Sequence, residues 1–332
     1  MSKHALIKTF AVLSIAALSS WTHANEIAIV IHGGAGTITP DKMTPELEKS
    51  YTDILVRASE HGYNLLKSGA SSEQAVIETI KIMEDSPLFN AGHGAVLTNQ
   101  EKAELDASIM RGSDLSAGAI AAVTTIKNPI ELAYAVMTQS EHVMLVGNGA
   151  EVFADEVGIE RVDNAYFITP RRLEQVRAAK TREATAMIPK PEKYGTVGAV
   201  ALDLNGNITA ATSTGGMTNK RYGRVGDAPI IAAGTYADNT VCGVSATGHG
   251  EYFIRAAVAH DICARSLYKG ISLKAAADEV IQDKLVAMGG DGGIIALTPS
   301  GEVIFSFNTA GMYRAGIDAQ GNRTVGIYAK PQ

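Results

Sequence analysis

The stretch from Thr196 to Thr214 constrains this chain more than any other. Thr196 to Leu204 (TVGAVALDL) alternates, Asn205-Gly206 follows, and Asn207 to Thr214 (NITAATST) alternates back. A period of two reads as strand. Asn-Gly between two such runs is the strongest short signal of a hairpin. The segment is expected to be a β-hairpin that returns Thr214 towards Thr196.

Other elements surround it. Glu26 to His32 (EIAIVIH) reads as a strand running into a tight turn at Gly33-Gly34-Ala35-Gly36. Pro45 to Lys67 carries helical periodicity, and Ser71 or Ser72 caps a second helix with Gln74 to Met83 as its body. Ala117 to Ile126 and His142 to Val146 read as strands, with a proline-initiated helix, Pro129 to Met137, between them. Towards the C-terminus, Val241 to Thr247 is a strand, and Tyr252 to Ser266 and Leu273 to Met288 are helices. Gly293 to Thr298 pairs with Glu302 to Asn308. Hairpins beside helices favour a layered α+β (α/β-type) sandwich over a doubly wound sheet.

Asp163 to Lys193 differs in character. It is charged, lacks a sustained apolar stripe and has proline near its end, at Pro191, so it reads as an exposed, mobile connector. The N-terminus also stands apart. Lys3, His4 and Lys8 precede the apolar run Phe10 to Leu18 and the small-residue ending Thr22-His23-Ala24. That is the layout of a signal peptide cleaved after Ala24, with a periplasmic or secreted product. The apolar run is too short to span a bilayer, which takes roughly 20 residues, so no membrane partner is expected. A net charge of −6 argues against nucleic acid. Cys242 and Cys263 could pair in an oxidising compartment. One lies in a strand-like run and the other in a helix-like run, so two buried, unpaired thiols is the preferred reading. No Cys/His cluster has metal-ligand spacing.

The junction Gly195-Thr196 carries chemistry. A connector ending in glycine, followed at once by a threonine that opens a strand, suits self-cleavage. Gly195 can hold backbone conformations closed to other residues, and attack by the Thr196 hydroxyl on its carbonyl would form an ester. Hydrolysis then frees an α-amino group with a pKa of about 7.7–8.0, able to serve as base for its own hydroxyl.

The chain resembles the plant-type asparaginase and isoaspartyl peptidase family of N-terminal-nucleophile hydrolases. The resemblance rests on IHGGAG at 31–36, PLFNAGHGAVL at 87–97, ELDASIM at 104–110, GTVGAVALD at 195–203, ATSTGGMTNKRYGRVGD at 211–227, ATGHGE at 246–251 and GGDGG at 289–293. It implies an αββα four-layer sandwich over residues 25–332 and cleavage into chains 25–195 and 196–332. It further implies a dimer of such two-chain protomers, acting on isoaspartyl dipeptides and asparagine. Thr196 matches the nucleophile and Thr214 the threonine that holds it. Arg224 and Asp227 match the pair gripping the substrate's α-carboxylate and α-amino group, as a planar guanidinium suits a carboxylate. Thr247 and Gly248 match the oxyanion hole, Gly250 a substrate-contacting glycine, and Asn90 an assisting asparagine. His93 and His249 are read as packing or loop residues, with His249 able to modulate the chemistry.

No cofactor is required on this reading. The loop from Met83 to His93 resembles one that encloses a structural sodium ion with backbone carbonyls, here those of Met83, Glu84, Ser86, Phe89, Ala91 and His93. Oxygen ligands suit a hard cation. Two other functions compete. One is glycosylasparaginase, whose pattern has aspartate where this chain has Gly195. The other is a non-catalytic exported amino-acid-binding protein.

Overall fold

A computed structural model describes residues 26–185 and 195–329. Its larger sheet has the order β12-β11-β1-β5-β6-β2-β3-β4. These are Ala28–Gly36 (β1), Leu105–Arg111 (β2), Ala117–Val123 (β3), Met144–Val146 (β4), Val197–Leu202 (β5), Ile208–Thr214 (β6), Gly311–Ile317 (β11) and Arg323–Tyr328 (β12). The smaller sheet, β10-β9-β8-β7, comprises Thr235–Asp238 (β7), Cys242–Gly248 (β8), Gly292–Leu297 (β9) and Val303–Phe307 (β10). Pairing is antiparallel except between β3 and β4. Helices Pro45–Lys67 (α1), Ser72–Glu84 (α2), Pro129–Gln139 (α3) and Gly147–Val157 (α4) cover the larger sheet. Pro170–Thr185 (α5) buries Arg172 and Val176. Gly250–Ala256 (α6), Val258–Lys269 (α7), Leu273–Asp278 (α8) and Leu285–Ala287 (α9), with a π-helical turn at Glu279–Lys284, cover the smaller one.

The layers follow from strand parity. On β1, Ile29 and Ile31 pack towards the helices, while Ala28 and Val30 pack towards the second sheet. On β5, Val197, Ala199 and Ala201 take the first side, and Val200 and Leu202 the second. On β8, Val244 and Ala246 join the α6–α8 layer. Three apolar layers thus separate helices, sheet, sheet and helices, the expected αββα sandwich. The hairpin forms as expected, with Val197 opposite Ser213 and Leu202 opposite Ile208.

Several expectations fail. Gly33 to Gly36 is no tight turn: β1 continues through it, with an irregular register between His32 and Gly34 as it pairs with β11. The connector is in large part helix α5. Its polar sequence hides one docking face, where Arg172 is buried, Nε donating to the Gly94 carbonyl at 2.6 Å, and Val176 joins the core. Residues 186–193 of that reading lie outside the described residues, as does the whole of the expected signal peptide with its cleavage point. The expected helix 252–266 is broken at Ala257, whose φ is +49°. Cys242 and Cys263 form a disulfide, because packing α7 onto β8 brings their Cα atoms to 5.9 Å, within bonding range. No described helix is long and apolar enough to cross a membrane.

Candidate active site

The polar members of the inter-sheet layer gather at one end of it. His32 continues the side of β1 that carries Ala28 and Val30. Thr212 and Thr214 do the same on β6, and Ser245 and Thr247 on β8. All are buried, as is Thr196 at the start of β5. The Thr196 hydroxyl donates to Thr214 Oγ1 at 3.1 Å. Thr214 Oγ1 in turn donates to the Gly195 carbonyl at 3.2 Å and accepts from the Gly216 amide at 3.0 Å. Asn90 Nδ2 donates to the same Gly195 carbonyl at 2.6 Å and to the Gly216 carbonyl at 2.8 Å. Its Oδ1 accepts from the Val96 amide at 2.8 Å, which fixes the amide's orientation. The bond between Gly195 and Thr196 therefore has a hydroxyl beside it and two donors on its carbonyl oxygen.

His32 was absent from the expected site. Its Nδ1 lies 3.0 Å from the Thr196 carbonyl oxygen and its Nε2 3.1 Å from Ser245 Oγ. A carbonyl only accepts, so Nδ1 carries the proton and Nε2 accepts from Ser245. Burial pushes the imidazole down to about 3, leaving it neutral. It anchors the Thr196 backbone. A further hydroxyl chain, Ser245 to Thr212 at 2.7 Å and Thr212 to Thr235 at 2.6 Å, satisfies the buried groups behind it.

Thr247 meets this cluster through Ala35, whose amide donates to Thr247 Oγ1 at 3.3 Å. Gly34, next in the same strand, packs so closely on the junction that a Cβ there would lie 2.7 Å from the Gly195 Cα. Gly248, opposite Gly292 in the β8–β9 ladder, follows Thr247 at the strand's end.

Arg224 and Asp227 come together with Gly250. A Cβ on Gly250 would lie 2.9 Å from the Asp227 backbone nitrogen, as well as 2.8 Å from Arg224 Nη2 and 3.0 Å from Asp227 Oδ1, so a side chain there would displace the loop. Asp227 Oδ2 is buried without a partner among the described residues. Burial pushes this carboxyl up to about 7, against the pull of the Arg224 guanidinium. A buried oxygen of this kind can accept a further donor, of which an ammonium group is one. Arg224 is held edge-on by Glu251, Nε to Oε1 at 3.0 Å and Nη2 to Oε2 at 2.9 Å. Glu251 also lies 3.2 Å from His249 Nε2. Glu251 was not anticipated. It stands in the 246–251 motif, but its pairing with Arg224 depends on how β8 and α6 meet the 215–227 loop.

The loop after α2 closes on itself. The His93 amide donates to the Glu84 carbonyl at 2.6 Å, and a Cβ on Gly92 would lie 2.4 Å from that oxygen. His93 Nδ1 lies 2.6 Å from the Tyr166 carbonyl, a packing role. The side chain of Glu84 is taken up by Ser213, Asn128 and the Ile130 amide. Of the six carbonyls expected to face a cation, that of Glu84 thus accepts from His93, and that of Met83 accepts from the Ser86 amide at 3.3 Å. No group of three or more His, Cys, Asp or Glu suited to a metal ion occurs among the described residues.

A family profile described as asparaginase matches residues 25–327. An isoaspartyl peptidase of Escherichia coli (strain K12) is 49% identical over 306 residues, covering 90% of this chain and 95% of that protein. An isoaspartyl peptidase of Salmonella typhimurium is 47% identical, covering 92% and 99%. A mouse protein named isoaspartyl peptidase/L-asparaginase is 38% identical, covering 90% and 93%.

Proposed function

This chain belongs to the asparaginase family, and on that premise we propose that it is an isoaspartyl peptidase and L-asparaginase that makes its own nucleophile. The observation that carries the reading is the hydrogen-bond chain from the Thr196 hydroxyl through Thr214 to the Gly195 carbonyl. As Thr196 Oγ1 attacks that carbonyl, its proton passes to Thr214 Oγ1, and the Thr214 proton passes to the carbonyl oxygen. Collapse re-forms the carbonyl and breaks the C–N bond as the proton on that oxygen passes to the Thr196 nitrogen, leaving an ester on Thr196 and a free α-amine. Water then cleaves the ester, giving chains 25–195 and 196–332.

The freed α-amine takes the hydroxyl proton when Thr196 attacks a substrate. Arg224 and Asp227 hold the aspartyl head, and Thr247 with the Gly248 amide receives the oxyanion. The α-ammonium then protonates the departing amine, and water releases aspartate. The carbonyls of the 83–93 loop would hold a structural sodium ion on this reading; it would supply no chemistry and would steady the loop that presents Asn90. The working unit is a dimer of cleaved protomers. Export to the periplasm is supported by the disulfide, which persists in oxidising compartments. It is supported further by a family match that begins at residue 25.

Two measurements test this. On a denaturing gel the protein should separate into two chains, the smaller beginning at Thr196, while Thr196→Ala stays whole. The processed enzyme should then hydrolyse β-aspartyl dipeptides and asparagine, the dipeptides with higher kcat/KM, and glycosylasparagine poorly. Normal cleavage of Thr196→Ala would remove the mechanism. Preference for the glycosylated substrate would transfer the assignment to glycosylasparaginase.

A further inference from the structure

A cavity of 160 Å³ lies beside the junction, its wall formed in part by Gly34, Asn90, Gly195, Arg171 and Tyr313. It is lined by neither Arg224 nor Asp227. Arg171 is exposed to solvent there, and its Nη1 donates to the Tyr51 hydroxyl at 3.0 Å. Arg111, Arg161, Arg177, Arg221 and Arg265 each pair with an acid. Arg171 pairs with none among the described residues. Its neighbour Arg172 is buried against a carbonyl and an amide oxygen, those of Gly94 and Gln175. Among the described residues, this corner thus holds two guanidinium groups and no carboxylate, beside a space.

Reaction chemistry gives that space a direction. On the proposed function, the departing amine takes its proton from the Thr196 α-ammonium. That nitrogen is the atom now bonded to Gly195, so the leaving group must depart on the Gly195 side. Gly34, in the cavity wall, is so near that a Cβ on it would lie 3.1 Å from the same nitrogen. Once cleavage frees Gly195, the cavity opens onto the new amino terminus. A β-aspartyl dipeptide brings a leaving amino acid with a free α-carboxylate, whereas asparagine brings only ammonia.

We propose that this cavity is the leaving-group subsite and that Arg171 binds the α-carboxylate of the departing amino acid. The proposal rests on the isoaspartyl reading above. A guanidinium fork suits the carboxylate, and the contact would favour dipeptides over asparagine.

The test uses the processed enzyme with β-aspartyl-glycine, its C-terminal amide and L-asparagine. Arg171→Gln should lower the kcat/KM ratio of β-aspartyl-glycine to asparagine by about tenfold, the loss of one charge-assisted contact. The ratio of the acid to its amide should fall in parallel. Arg171→Lys should keep part of both ratios, because it retains a cation without the fork. Unchanged ratios, or a uniform loss on all three substrates, would overturn the subsite. Failure of the wild-type enzyme on all three would instead overturn the isoaspartyl reading itself, and the subsite with it.

Discussion

Asn90 Nδ2 donates to the Gly195 carbonyl at 2.6 Å, joining segments 105 residues apart at the bond the chain is expected to cut. The contact places an amide donor where negative charge would develop during self-cleavage. Removing one such donor costs about 10²–10³ in rate. Asn90→Ala should therefore slow the appearance of the two chains by about that factor, followed by a denaturing-gel time course. Cleavage at the wild-type rate would show that Thr214 alone polarises the carbonyl.

Glu251 grips one edge of Arg224, and the guanidinium's orientation depends on that grip. Arg224→Ala should lower kcat/KM about a hundredfold or more, the loss of a charge-assisted pair, while the chain still cleaves itself. Arg224→Lys should recover little. Glu251→Gln should raise KM more than it lowers kcat, because it loosens the head-group contact without touching the reacting carbonyl. Steady-state kinetics on asparagine separates these outcomes.

Asp227 gives a pH dependence. Its folded pKa stands at about 7, above the ordinary value of about 3.9, so burial favours the protonated form. Binding an ammonium requires the carboxylate. L-Aspartate binding should therefore release a proton below pH 7 and weaken by about tenfold per pH unit there, measured by calorimetry in buffers of different ionisation enthalpy. Stability runs the opposite way. The raised pKa contributes stability below about pH 4 that is lost as pH rises through 7. Asp227→Asn should abolish the proton release and stabilise the free enzyme most at pH 7 and above.

The disulfide between Cys242 and Cys263 closes a loop with a sequence separation of 21. Chain-entropy arguments give such a loop about 3 kcal/mol. Cys263→Ser should lower the unfolding free energy by about that amount in denaturant titration, and added reductant should do the same to the wild-type protein. Insensitivity to reductant would show that the bond contributes nothing to stability.

Local pattern was enough for the hairpin, the first three helices and a layered sandwich of helices and sheets, because period and turn chemistry act within a few residues; the αββα order came from the resemblance. Local pattern also showed that the chain turns back after Leu204, but the register that sets Thr214 opposite Thr196 comes from a three-residue loop, 204–206, with Gly206 at a φ of +77°. Other features needed the second sheet. Ser245 meets His32, and Thr247 meets Ala35, only where β8 lies over β1. Glu251 reaches Arg224 only through the corner where β8 becomes α6. The strand alternation of 28–36 was hidden by glycines, which carry no side chain to mark a face, so β1 looked shorter than it is. Helix α5 was hidden for a related reason: few of its residues are apolar, and it docks through Arg172 and Val176. The cysteines lie in elements whose sequences show no preference for each other. Their pairing, like the meeting of Arg224, Asp227 and Gly250, was decided by packing between distant segments, which no local period records.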